Sequence, residues 1–272
     1  MSAMNIKTAD VRAIDPVWDA ITSGARQVVQ AEPSLANLIY SNVLNHAGFE
    51  DALAHRLADR LDHSDVSADL IRQAFHDALE MRPEIGIEAR ADLAATLERD
   101  PALHKAVDGF LYFKGYHAIQ THRFAHALWM GGRRDFALYL QSRSSAVFQV
   151  DINPAARIGK GIMLDHATGF VVGETATIGD NVSILQGVTL GGTGKSEEDR
   201  HPKIGNGVLI GAGAKVLGNI NVGYCSRIAA GSVVLHDVPH NTTVAGVPAK
   251  VISEAGCSQP SITMDQLISG EI

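Results

Sequence analysis

Apolar residues in the first half of the chain recur at three- and four-residue intervals. Leu53, Leu57 and Leu61 form one stripe, and Leu70, Ala74 and Ala78 form another. That spacing belongs to helices with one buried face. The residues between are rich in Ala, Leu, Arg, Asp and Glu, which suit helix. Breaks are predicted at Glu32-Pro33, near Gly48, around Arg82-Pro83 and at Asp100-Pro101, since the residue before proline avoids helical backbone. The pattern predicts roughly seven or eight helices ending near Phe148.

Beyond residue 150 the period changes to six. Ile152, Ile158, Leu164, Phe170, Ala176, Val182 and Val188 fall six apart, and Ile204, Ile210, Val216, Val222, Ile228 and Val234 resume the spacing. Gly, Asp or Asn often follows the apolar position. A six-residue period fits neither a helix nor a simple strand. It fits a parallel β-helix, in which each hexapeptide makes one short face and one corner. Glycine agrees: residues 151–251 hold 17 of the 26, against 7 in residues 1–150. In a helix each would cost roughly 1 kcal/mol relative to Ala. Val188 and Ile204 are 16 apart instead of 6, so ten extra residues are expected to bulge out in the loop GGTGKSEEDRHPK, 191–203. A solenoid insertion of this kind often carries the binding surface.

The formal net charge is -7, from 23 Lys+Arg and 30 Asp+Glu, which argues against a general nucleic-acid binder. Cys225 and Cys257 are too few for a disulfide scaffold or a cysteine-based zinc site. The start, MSAMNIKTAD, lacks the apolar core of a signal peptide. No run of about 18 apolar residues is present, so a soluble, cytoplasmic protein is expected.

The segments FQVDINPAARIGKGIMLDHATGFVVGETA (148–176) and SILQGVTLGGTGKSEEDRHPKIG (183–205) resemble the serine acetyltransferase family of hexapeptide-repeat acyltransferases. IGAGAKVLGNI (210–220), AGSVVLHDVP (230–239) and, in the helical half, FKGYHAIQ (113–120) fit the same resemblance. It implies an α+β chain: an all-helical oligomerisation domain (1–148), a left-handed parallel β-helix built from hexapeptide repeats (149–252) and a flexible C-terminal tail (253–272). The implied reaction moves acetyl from acetyl-CoA to the hydroxyl of L-serine, giving O-acetyl-L-serine, a precursor of cysteine. The implied assembly is a homotrimer through the β-helix, or a dimer of trimers through the helical domain.

A serine hydroxyl is a poor nucleophile at neutral pH and needs a base poised near pH 7, which suits histidine. The resemblance makes His166 that base and Asp151 its orienting partner. They are 15 residues apart, against 18 for one coil, so they are expected on adjacent coils near one corner. By the same resemblance Asp100, Asp165, Arg200 and His201 line the serine pocket. Arg200 can grip a carboxylate with two hydrogen bonds, and the aspartates can meet the ammonium. Gly192, Thr193, Ala212, Arg227 and Ala230 map to the acetyl-CoA site. Arg227 stands where lysine is common in the family, and Ala229-Ala230 where Gly-Ala is frequent. L-cysteine, sharing serine's two charged groups, is expected to inhibit. Ile272, the last residue, matches the isoleucine with which relatives enter O-acetylserine sulfhydrylase, so that enzyme is an expected partner.

Two other motifs are set aside. GGTGKS (191–196) would need glycine at 189 to be a phosphate loop, and Thr189 stands there. His122 and His126 have the helical i,i+4 spacing of zinc ligands but lack a HExxH context, so helix packing is expected and no metal is implied. Other readings of the sequence are a hexapeptide acyltransferase acting on a sugar or amine, a γ-class carbonic anhydrase, and a non-catalytic regulatory partner of the sulfhydrylase.

Overall fold

The computed structural model describes residues 15–194, 197–256 and 259–266. Helices occupy the chain up to Phe148: α1 (Pro16–Ala31), α2 (Ala36–Ile39), α3 (Phe49–Leu61), α4 (Ala68–Met81), α5 (Glu84–Arg99), α6 (Ala106–Tyr112), α7 (Lys114–Met130) and α8 (Arg134–Phe148). The expected breaks fall between elements. A 3-10 turn begins at Pro33, Gly48 precedes α3, Arg82-Pro83 separates α4 from α5, and Asp100-Pro101 follows α5. The Leu53, Leu57 and Leu61 stripe is buried. In the second stripe Ala74 and Ala78 are buried but Leu70 is 54% exposed, and Ile71 and Phe75 complete the buried face of α4. Phe75 stacks on Phe124 of α7 at 4.2 Å between ring centroids, and packing on that ring sets the face.

From Val150 the chain winds as a parallel solenoid with three faces. The first joins Val150–Ile152, Phe170–Val172, Thr189–Gly191, Lys215–Leu217 and Val233–Val234. The second joins Arg157–Ile158, Thr177–Ile178, Lys203–Ile204 and Asn221–Val222. The third joins Met163–Leu164, Ser183–Ile184, Leu209–Ile210 and Arg227–Ile228, and ends in an antiparallel hairpin of Thr242–Gly246 with Ala249–Glu254.

The pairing register corrects the placement of the ten extra residues. Lys203 pairs with Asn221 and Leu209 with Arg227, an interval of 18. Asp151 pairs with Val171, an interval of 20, and Thr177 with Lys203, an interval of 26. Two extra residues therefore lie in the corner between Leu164 and Phe170, and only eight in the loop before Lys203. Phe170, Ala176, Val182 and Val188 are all buried, but they sit two residues before the strand positions Val172, Ile178, Ile184 and Leu190. Both sets point inward, so the apolar pattern continued through the insertion without a visible break.

The helical half sits on the first coil through α5, α7 and α8. A buried ion pair fastens it. Asp92 accepts from Arg123 at 2.9 and 2.7 Å, from Gln120 at 2.9 Å and from the Ile162 backbone N–H at 2.9 Å. Arg123 also donates to the carbonyls of Ile158 and Gly159 at 3.3 and 2.6 Å. Part of the tail that composition suggests is flexible is docked. Pro260–Thr263 forms a turn of helix against α5, with Pro260 and Ser261 buried and the Ser261 carbonyl accepting from Ser183 Oγ at 2.7 Å.

Candidate active site

The first insertion builds a protruding corner. His166 and Ala167 adopt left-handed backbone, with φ of 54° and 62°. Such values are uncommon outside glycine and mark a constrained position. The corner is held by short local bonds: Ala167 N–H to the Asp165 carbonyl at 2.6 Å, Thr168 N–H to the His166 carbonyl at 2.7 Å, and Gly169 N–H to the Gln149 carbonyl at 2.8 Å. The His166 side chain is thereby presented outward, 74% exposed, with Nε2 3.7 Å from Asp165 Oδ2.

Two helices brace this corner. The start of α7 rests on it: a Cβ at Gly115 would overlap the Leu164 carbonyl, and Lys114 Nζ donates to Thr168 Oγ1. The end of α5 is pinned by Arg99, which donates to the Gly161 carbonyl at 3.0 Å and Ser183 Oγ at 3.1 Å. Asp100 follows directly, its Oδ1 accepting from the Ala102 N–H at 2.8 Å. Asp100, Asp165 and His166 thus form one cluster. Burial pushes the Asp165 carboxyl above its ordinary range; the Asp100 charge adds to this, while His166 opposes it.

Asp151 lies on the first strand of the first face, opposite Val171, with its neighbours Val150 and Ile152 turned inward. Its Oδ1 accepts from Gln141 Nε2 of α8 at 2.6 Å. Among the described residues the hydrogen bonds do not join Asp151 to His166. Gln141 carried no motif signal that sequence reading could have used.

The second insertion carries the other pocket residues. Its hub is Thr175, which sequence reading missed. Thr175 Oγ1 accepts from the backbone N–H groups of Arg200 and His201, each at 3.1 Å. His201 Nδ1 in turn accepts from the Thr175 N–H at 3.2 Å and faces Thr175 Oγ1 at 2.9 Å. Nδ1 is therefore an acceptor, and the ring proton belongs on Nε2. Burial, with Arg200 and Lys203 nearby, holds His201 below the usual imidazole range, so the ring is neutral near pH 7. Gly173 is required here, because a Cβ would overlap the His201 ring. Gly192 is the other wall, with Arg200 Cγ 3.3 Å and His201 Nε2 3.4 Å from where its Cβ would be. Arg200 itself pairs with Glu174 at 2.8 Å. Thr193 packs toward Gly218 at the next coil.

Within one chain these two clusters stay apart. Asp100, Asp165 and His166 lie at the corner entering the first face; Arg200, His201, Gly192 and Thr193 lie beyond the corner leaving it.

Ala212 and Ala230 belong to a third feature, continuous with the first. Their corners stack above that of His166: Gly187 N–H bonds to the Thr168 carbonyl, Gly213 N–H to the Gln186 carbonyl, and Gly231 N–H to the Ala212 carbonyl, each at 2.8 Å. A Cβ at Gly213 or Gly231 would meet nothing within 4 Å. The column is thus an open strip of bare backbone rising about 4.8 Å per coil, with Lys215 Nζ bonded to the Gly187 carbonyl beside it. An extended, amide-bearing arm fits such a strip. Arg227 is not on it. Its guanidinium is buried beneath the tail, donating to the Ala255 carbonyl at 3.0 Å and lying 3.8 Å from Asp265 Oδ2. Ile272 lies outside the described residues.

A family model described as "Serine acetyltransferase, N-terminal" matches residues 17–121. A serine acetyltransferase of Salmonella typhimurium is 51% identical over 257 residues, covering 94% of each chain. A crystal structure of serine acetyltransferase from Brucella abortus in complex with coenzyme A is 60% identical, with a TM-score of 0.89, over 92% of this chain and all of that one. A serine acetyltransferase in complex with cysteine is 48% identical, with a TM-score of 0.91, over 93% of this chain and 98% of that one. Likeness at this level covers nearly the whole of both chains, so the chain belongs to the serine acetyltransferase family.

Proposed function

We propose that this chain transfers acetyl from acetyl-CoA to the hydroxyl of L-serine, giving O-acetyl-L-serine and CoA. The observation that carries the reading is the strained corner presenting His166 at the foot of the open backbone column. An acyl thioester lying along Gly231, Gly213 and Gly187 would end beside the imidazole. His166 takes the serine hydroxyl proton as the oxygen attacks the thioester carbonyl, and then returns it to the departing thiolate. Direct transfer needs no acyl-enzyme nucleophile. Asp151 lies one strand from that corner and is assigned to support the imidazole, with Gln141 fixing its carboxylate.

Asp100 and Asp165 are assigned to the serine ammonium. The proximity of two carboxylates there favours a cation between them. Arg200 and His201 are assigned to the serine carboxylate, Arg200 exchanging Glu174 for the ligand. L-Cysteine carries the same two charged groups and is assigned to the same pocket as an inhibitor. A relative of similar structure is known in complex with cysteine. The separation of the two clusters within one chain supports a homo-oligomer packed through the solenoid, in which the loop of one copy completes the corner of the next. Gly192, Thr193, Ala212 and Ala230 are assigned to the CoA arm. Arg227 would reach its phosphates only if the tail moves. Ile272 is assigned to docking on O-acetylserine sulfhydrylase.

The test is thiol release from acetyl-CoA with L-serine, compared with homoserine and aminosugars, for the parent and His166→Ala. Loss of base catalysis lowers kcat by roughly 10²–10⁴, with CoA affinity little changed. Near-normal turnover by His166→Ala, or preference for an aminosugar, overturns the reading.

A further inference from the structure

Where α7 lies over the first coil, a cavity of about 310 Å3 remains, lined by Arg82, His122, Arg123, His126, Arg157 and Ile158. None of these residues belongs to the site described above. Arg123 pairs with Asp92 at 2.7 Å and with Glu88 at 2.9 Å, and Arg82 shares Glu88. Asp92 is also taken up by Gln120 and the Ile162 N–H. Among the described residues no ion pair is formed by Arg157. Three guanidiniums thus meet two carboxylates, both already engaged, and the cavity keeps a positive excess that favours an anion.

The two imidazoles add a second requirement. His126 Nδ1 donates to the Pro154 carbonyl at 2.7 Å, which leaves Nε2 as a lone pair. His122 is only 5% exposed, its ring bonds the Ala156 backbone, and its Nδ1 is shut off from the cavity. The ring centroids are 5.9 Å apart. Burial, with Arg82, Arg123 and Arg157 around them, lowers the proton affinity of both rings, so they are neutral at pH 7. The Nε2 lone pair of His126 is met by a group that donates to it. A metal ion would suit the lone pairs but not three guanidiniums. A ligand that answers both features accepts hydrogen bonds from the arginines and donates one to an imidazole.

We propose that this cavity binds a small oxyanion that carries its own hydroxyl, of the hydrogenphosphate class, with Arg157 and Arg82 on its oxygens and its O–H directed to His126 Nε2. Sulfate offers the charge without the donor. Because Arg123 bonds the first-coil carbonyls from the wall of the same cavity, occupancy braces the helical half on the solenoid and registers as thermal stability.

The experiment titrates the full chain at pH 8 with inorganic phosphate, sulfate or chloride at matched ionic strength, with saturating CoA present to block the acetyl-CoA site. Melting temperature and heat of binding are read together. Phosphate at tenfold excess over its Kd should raise the melting temperature by about 2–4 °C, with one site per chain, and sulfate by less than a third as much. Arg157→Gln, an exposed position outside the active site, should weaken phosphate at least tenfold and leave acetyl transfer within twofold of the parent. Equal shifts by phosphate and sulfate overturn the proposal. So does a phosphate response that survives Arg157→Gln unchanged.

Discussion

Replacing Thr175 with valine removes one hydroxyl from a half-buried junction while nearly preserving volume. That hydroxyl accepts two backbone N–H groups, from Arg200 and His201, and faces His201 Nδ1 at 2.9 Å. Each net hydrogen bond is worth about 1 kcal/mol, and a donor left buried without a partner costs about 1–3 kcal/mol. The loop can shift to rehydrate its N–H groups, so about 2–3 kcal/mol of local ordering should be lost rather than the full sum. If Arg200 and His201 hold the serine carboxylate, that loss appears as a rise in the KM for serine of roughly 30–150-fold, since about 1.4 kcal/mol is tenfold. The KM for acetyl-CoA and the melting temperature should change little, because the coil beneath the loop remains paired. Thr175→Ser keeps the hydroxyl and should recover most of the serine affinity. Steady-state kinetics with each substrate varied in turn make the test. Serine kinetics within twofold of the parent in Thr175→Val, or failure of the serine variant to rescue, would refute the role of this hub.

Arg200→Ala should weaken serine and cysteine together, each by tenfold or more, in titrations of the two ligands; cysteine inhibition at full strength would place its site elsewhere. Asp92→Ala breaks the buried pair with Arg123, leaves Gln120 and the Ile162 N–H without their acceptor, and should cost about 3–5 kcal/mol in denaturant unfolding. Asp165 has a raised carboxyl pKa in the fold, so its ionised form costs stability above that pKa and the cost fades as pH falls through it. Asp165→Asn should therefore melt higher than the parent at pH 7, with the gap closing toward pH 4, while losing serine affinity. Deleting Ile272 should weaken the complex with O-acetylserine sulfhydrylase by about 100-fold or more, as loss of an anchor residue does, and leave acetyl transfer within about twofold; equal binding of both forms returns the terminus to a bystander.

What the sequence determined by itself was the division of the chain and the chemistry it could carry. A helix needs an apolar stripe at 3.6 residues, and a β-helix repeats its inward positions every six residues. Both rules act locally, so Leu53, Leu57 and Leu61, and Ile204 through Val234, announce their elements directly. The candidate pocket residues were named by the family resemblance, not by spacing: alone, Asp100 reads as a helix-end residue and Arg200 as a solvated loop charge. Tertiary structure decided the rest. The repeat has two inward positions per hexapeptide, so Phe170 and Val172 are both buried, and only strand pairing shows where the two residues beside His166 were inserted. Leu70 yields to Ile71 because the rings of Phe75 and Phe124 choose the buried face of α4. His201 owes its tautomer to Thr175, 26 residues earlier, and Arg227 is drawn beneath a tail that begins well after it. Each of these depends on a partner distant in the chain, and residue spacing along one strand of sequence carries no record of which coil, helix or tail will lie across it.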